Sequence, residues 1–193
     1  MKTAAWPLLA PDAAEAYAEL CAALGAQVEE LPFPDVFDNV AERLGHILHA
    51  DIAVNLAREY RHGAPQLSAK LRGMIARGRS TLATDYIRAL GAREEYRRAL
   101  DEAFDNCNAI LTPAAPGEAG PPENTGNPAF SMLWTLMGVP AITLPLLSGA
   151  SGLPLGVQLV GRHGDDTRLL RIARWLADHV ASLAGPKPKK RKK

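Results

Sequence analysis

The chain has 193 residues, 47% hydrophobic and 22% charged, a balance that excludes a disordered or fibrous protein and fits a globular fold with a real core. Its formal charge of +1 hides a division: six of the 22 basic residues lie in the terminal run GPKPKKRKK, leaving 16 against 21 acidic residues and a body near −5. That mildly acidic body gives no sign of a nucleic-acid surface, and no apolar run approaches the roughly 18–20 residues that a membrane-spanning helix needs.

The opening MKTAAWPLLAPDAAEAY lacks a signal peptide's long apolar core, because Pro7, Pro11 and Asp12 interrupt it. Cys21 and Cys107 are too few and too scattered for a disulfide framework. The expected compartment is the cytoplasm. Residues 1–184 read as one region and residues 185–193 as a basic, disordered tail.

Pro11 and Asp12 open a first helix, with Tyr17, Leu20 and Leu24 on one face and Gly25 as its stop. AQVEELPFP alternates briefly before its prolines, which predicts a short strand over Gln27–Leu31. Helical spacing follows from Val36 to Leu56 and on to Gly63, then in two further stretches beginning at Leu67 and Leu82. The last of these carries Arg and Glu three and four residues apart, as a solvated helix face does.

AILTP, Ala109–Pro113, reads as a buried strand. The Pro- and Gly-rich loop from Ala114 to Asn127 has a length that often marks function. TGNPAFSMLWTLMGVPAITLP then reads as a polar turn, a short apolar helix and a buried strand. A loop LSGASG, a strand LPLGVQLVGR and a final helix from Asp165 complete the chain, the helix burying Leu169, Leu170, Ile172, Ala173, Leu176 and Val180. The three strands read as apolar on both faces, as central strands do. The class is α/β with an incomplete, mixed sheet flanked by helices.

Chemistry-bearing residues are sparse. His46 and His49 could share a helix face near Glu42 and Asp51, but no third ligand is identifiable, so the reading is packed histidines and no metal site. Neither a G-x-S-x-G elbow nor a phosphate loop occurs. Cys107 reads as a structural thiol, and Ser148 and Ser151 as turn residues. Gly156 inside a strand implies close backbone approach. Gln158 either ties the sheet to a neighbouring loop or faces a pocket.

ILTP, TGNPAFSMLWTLMGVPAITLP and GLPLGVQLVGRHGDDTRLL, in this order, resemble the C-terminal half of the amidase signature family, as do ALGAQVEELPFP and DYIRALGAREEYRRALDEAF before them. The resemblance runs from about Pro11 to Val180. It implies part of a large α/β fold, hydrolysis of carbon–nitrogen amide bonds, and no cofactor. It also implies a Ser–Ser–Lys triad, because a serine hydroxyl is a weak nucleophile until a base activates it.

That triad belongs to the family's N-terminal half. No Gly/Ser-rich loop of the required kind occurs in this sequence, and Lys2 and Lys70 stand in other contexts, so no catalytic residue is assigned. By resemblance, Thr125, Phe130 and Trp134 are the candidate substrate-binding residues, lining a cavity opposite a nucleophile supplied by other sequence. Trp134 reads equally well as a core aromatic. Ser131 stands where relatives often carry Asn.

Two functions are consistent with this: a portion of an amidase, or a non-catalytic amidase remnant serving as a binding or interaction module. The partners expected are a small amide substrate, if a catalytic half complements the chain, and a homo-oligomer or partner chain, with no membrane. For KPKKRKK an import signal, weak polyanion binding and a solvated terminus remain open.

Overall fold

The computed structural model describes residues 2–123 and 125–183. In chain order they form α1 (Pro11–Leu24), α2 (Val40–Asn55), α3 (Ala57–Gly63), α4 (Ala69–Ser80), α5 (Ala83–Phe104), β1 (Ile110–Pro113), α6 (Met132–Met137), β2 (Ala141–Ser148), β3 (Pro154–Val160) and α7 (Asp166–Leu183). The chain divides into two compact units, one from Met1–Phe33 and Leu100–Lys193, the other Pro34–Ala99. The tail expected at residues 185–193 lies outside the described residues.

The first unit is built on a three-stranded sheet in the order β1-β3-β2, antiparallel at both pairings. Its register places Leu111, Leu159 and Ile142 in one row and Pro113, Val157 and Leu144 in another. Period-2 alternation turns both rows to the same face. There Val157 and Leu159 pack with Tyr17, Leu20 and Leu24 of α1 and with Leu169, Ala173 and Leu176 of α7. Spacings of three and four put each helical trio on one stripe, which is why these two helices share one sheet face. Truncating the fully buried Leu176 to Ala would open this core, at about 2–5 kcal/mol.

The second unit is helical. Ser68 caps α4, its hydroxyl accepting the Leu71 N–H at 3.2 Å. Ile75, Ala89 and Phe37 are buried, and Phe37 meets Tyr96 edge-on with ring centroids 5.7 Å apart. On α5 the Tyr86 hydroxyl donates to Asp51 Oδ1 of α2 at 3.0 Å. Its outer face carries the expected Arg–Glu pairing, Arg98 to Glu94 at 3.6 Å, exposed and of small energetic weight.

Four expectations are corrected. Gln27–Leu31 forms no strand: Gly25–Gln27 is a turn of 3-10 helix, and Val28, although extended, belongs to no ladder among the described residues. An alternating pattern specifies a strand only where another strand completes its hydrogen bonds. β1 and β2 are the edge strands of this sheet rather than central ones, and along β2 Ala141, Thr143 and Pro145 are exposed and Ile142, Leu144 and Leu146 half-buried. The β2 register shifts between Leu144 and Leu147, around Pro145, which has no N–H to give a ladder. Leu170 stands out from α7 at 58% exposure. The second helix begins at Val40, after a 3-10 turn over Asp35–Phe37.

Candidate functional site

The passage from the long loop through α6 into β2 places the three candidate wall residues differently. Thr125 is exposed in the loop, whereas Phe130 and Trp134 are buried at 1% and 2% exposure. Asn127 Oδ1 accepts the Ala129 N–H at 3.0 Å, and the Pro128 carbonyl accepts the Ser131 N–H at 2.8 Å. The chain thereby turns at Asn127–Ser131 and drives Phe130 inward. α6 then runs one and a half turns with Leu133, Trp134, Leu136 and Met137 all buried, and ends at Gly138 in the left-handed region (φ 65°). Such a helix is apolar on nearly every side, and Trp134 packs as a core aromatic.

The Trp134 indole N–H is buried without a hydrogen-bond acceptor among the described residues. The Gln158 carboxamide oxygen, in a residue 6% exposed, likewise has no donor among the described residues. In register, Gln158 stands between Thr112 and Thr143, on the sheet face away from α1 and α7. Gly156 follows on that face, where a Cβ would come within 2.7 Å of Thr143 Cγ2 and 2.9 Å of Ala114 Cβ, the close approach its position implied.

The tie between loop and sheet is not made through that oxygen. Glu118 makes it: its Oε1 accepts the backbone N–H of Ser151 and of Leu153, both at 3.0 Å. Asp12 Oδ2 accepts the Ala150 N–H at 3.0 Å, and that bond is the chief cause holding the Asp12 carboxyl below the usual range. Sequence reasoning misses both carboxylates, because each lies far along the chain from its partner. The available signal was an acid inside a Pro/Gly-rich loop.

Cys107 Sγ donates to the Ala103 carbonyl at 3.4 Å, and burial pushes its thiol up, which leaves it protonated and weakly nucleophilic at neutral pH. It borders a cavity of about 560 Å³ lined by Val28, Leu31, Leu111, Ile172 and Trp175, among others, and by none of Thr125, Phe130 and Trp134. His49 Nε2 accepts from Arg77 Nε at 3.4 Å, and burial, then that guanidinium, hold its pKa down. A guanidinium alongside is unfavourable to a metal cation, and no group of three or more His, Cys, Asp or Glu among the described residues could hold one. Among the described residues no helix is long and apolar enough to cross a membrane.

A family model described as Amidase matches residues 2–170. The chain is 35% identical over 154 residues to a subunit of the glutamyl-tRNA(Gln) amidotransferase of Anaeromyxobacter dehalogenans (strain 2CP-C), covering 72% of this chain and 31% of that protein. It is 29% identical over 170 residues to a fatty acid amide hydrolase of Oryza sativa subsp. indica, covering 80% of this chain and 28% of that one. The fold matches a crystal structure of an amidase with a TM-score of 0.79 at 24% identity, covering 89% of this chain and 42% of the other. It matches a vestigial protein complex tied to the origins of an s-triazine catabolic enzyme at 0.74 and 21%, covering 92% and 40%. The chain thus spans less than a third of the length of these curated relatives and about two fifths of the solved structures. With the ordered passages ILTP, TGNPAF and GLPLGVQLVGR placed as β1, the turn before α6 and β3, the chain belongs to the amidase family.

Proposed function

We propose that these residues form the C-terminal portion of an enzyme hydrolysing carbon–nitrogen amide bonds, contributing pocket wall through Thr125, Phe130 and Trp134. The Ser–Ser–Lys triad implied by the resemblance then comes from residues outside the 193. One observation carries this reading: a match over residues 2–170 in a sequence without the Gly/Ser-rich loop that the resemblance implies for the nucleophile. The indole N–H of Trp134 and the carboxamide oxygen of Gln158, both buried without a partner among the described residues, support it, since buried polar groups are almost always paired. The substrate is a small amide, bound only when the catalytic portion is present.

The compartment proposed is the cytoplasm, consistent with Cys21 and Cys107 both being free thiols. Association with a partner chain or a second copy is also proposed, because α7 leaves Leu170 58% and Trp175 45% exposed. Light scattering on the purified chain tests this, and a single monomer peak would count against it.

The function is tested by mixing the chain with a polypeptide carrying the Gly/Ser loop and catalytic lysine of an amidase. Amide turnover that requires both, and that disappears when the added nucleophilic serine is changed to Ala, supports the reading. Stable association without turnover would favour the non-catalytic module instead.

A further inference from the structure

We propose that the turn between β2 and β3 is an anion receptor and that Glu118 is its tethered ligand, a latch that fixes the loop over residues 114–127. Within this turn the N–H groups of Ala150, Ser151 and Leu153 all point at carboxylate oxygens, the first at Asp12 Oδ2 and the other two at Glu118 Oε1, each at 3.0 Å. Two of these converge on a single oxygen, and backbone N–H groups converging from one turn make a concave site for negative charge. The turn's own bonds preserve that shape: Gly149 N–H to the Leu153 carbonyl at 2.9 Å and Gly152 N–H to the Gly149 carbonyl at 3.0 Å, with Gly152 at φ 80°.

The fit of the ligand is steric as well as electrostatic. A Cβ at Gly149 would occupy the space filled by the Glu118 side chain. On the loop side, the Pro116 carbonyl accepts the Ala10 N–H at 2.7 Å, and Gly117 has room for no more than a tight contact with Ala10 Cβ. Pro116–Glu118 is therefore held at two points, and beyond it Ala119–Glu123 and Thr125–Pro128 are exposed until Phe130 is buried. The exposed stretch is a strap between two anchors, Glu118 and Phe130, and Thr125 rides on it. That placement matters to a substrate only on the amidase reading above. The latch does not depend on it, so its test uses no activity.

The experiment is amide hydrogen exchange and limited proteolysis on the full chain and on Glu118→Ala, Glu118→Gln and Gly149→Ala. Glu118→Ala is expected to speed exchange at Ser151 and Leu153 by about tenfold or more, and cleavage within residues 119–127 by a similar factor. Added acetate at 100 mM restores protection of the two turn amides in that variant but not of the strap, because a free carboxylate fills the receptor without tethering the loop. Gln at 118 retains an accepting oxygen and gives a smaller loss. Gly149→Ala displaces the glutamate and loosens the strap although the charge remains. Unchanged exchange at Ser151 and Leu153 in Glu118→Ala, or unchanged strap cleavage, overturns the latch, and acetate without effect overturns the receptor. Should Glu118→Ala fail to fold, the same comparison between Glu118→Gln and the native chain decides: equal protection of both amides and equal cleavage again overturn the proposal.

Discussion

Gly78 of α4 lies directly against the main-chain carbonyl of His49 in α2, with Ala53 Cβ 2.8 Å from where a Cβ would stand. The two helices pack with nothing but hydrogen between their backbones at this point. Gly73, one and a half turns earlier on α4, would meet only Arg77 Nη1 at 3.8 Å. The two glycines therefore predict opposite outcomes. Gly73→Ala should stabilise by roughly 0.5–1 kcal/mol through helix propensity. Gly78→Ala should destabilise by about 3 kcal/mol or more, since neither backbone can yield cheaply. Chemical denaturation of the two variants checks both signs, and a neutral Gly78→Ala would contradict this packing.

The three proposed wall residues separate by burial. Phe130→Ala should destabilise by about 3–5 kcal/mol, because the side chain is 1% exposed and leaves a cavity. Trp134→Ala should do the same, while Trp134→Phe should be far milder, since it removes an indole N–H that has no partner in the described chain. Thr125→Ala, at an exposed loop position, should stay within about 0.5 kcal/mol. Melting curves test the series. A Thr125 effect as large as that of Phe130 would give this loop position a structural role and count against the proposed one.

Asp12 gives a pH signature. Its folded pKa is depressed, chiefly by the Ala150 N–H, so its contribution is complete above the ordinary aspartate value near 3.9. That contribution is lost as pH falls through the folded value. Denaturation of the native chain and Asp12→Asn between pH 3 and 7 should give a stability difference that is constant at the upper end and shrinks toward acid. A difference that grows on acidification would mean the sign is wrong.

For the terminal run KPKKRKK, DNA binding should be weak, fall steeply with salt and vanish in a chain ending at Gly185, because each neutralised phosphate releases counterions. A filter-binding or anisotropy titration at two salt concentrations compares the two chains. Equal binding by both would place the effect in the body.

Local pattern made some of this legible in advance. α1 and α7 could be read because Tyr17, Leu20 and Leu24, and Leu169, Ala173 and Leu176, repeat at helical spacing and meet one sheet face. β3 could be read because a strand buried on both sides is apolar throughout, apart from Gln158. Three features could not. The alternation at Gln27–Leu31 carries strand propensity, but pairing is decided by partners far along the chain. The edge positions of β1 and β2 depend on strand order, which composition does not encode. Gly78 and Glu118 act through contacts 29 and 33 or more residues away, invisible to any local window. Of the candidate site, the passage from Thr125 to Trp134 was found by resemblance, and the division between an exposed threonine and two buried aromatics came only with coordinates.

The proposed division, pocket wall from these residues and the nucleophile from other sequence, has a direct test. The most direct measurement is turnover of a panel of aryl and aliphatic amides by the purified chain, with labelling by a serine-directed fluorophosphonate alongside. The expected result is no hydrolysis above background and no covalent label. Hydrolysis that co-purifies with the chain and is abolished by substituting one of its own residues, Cys107 being the first to change, would contradict it.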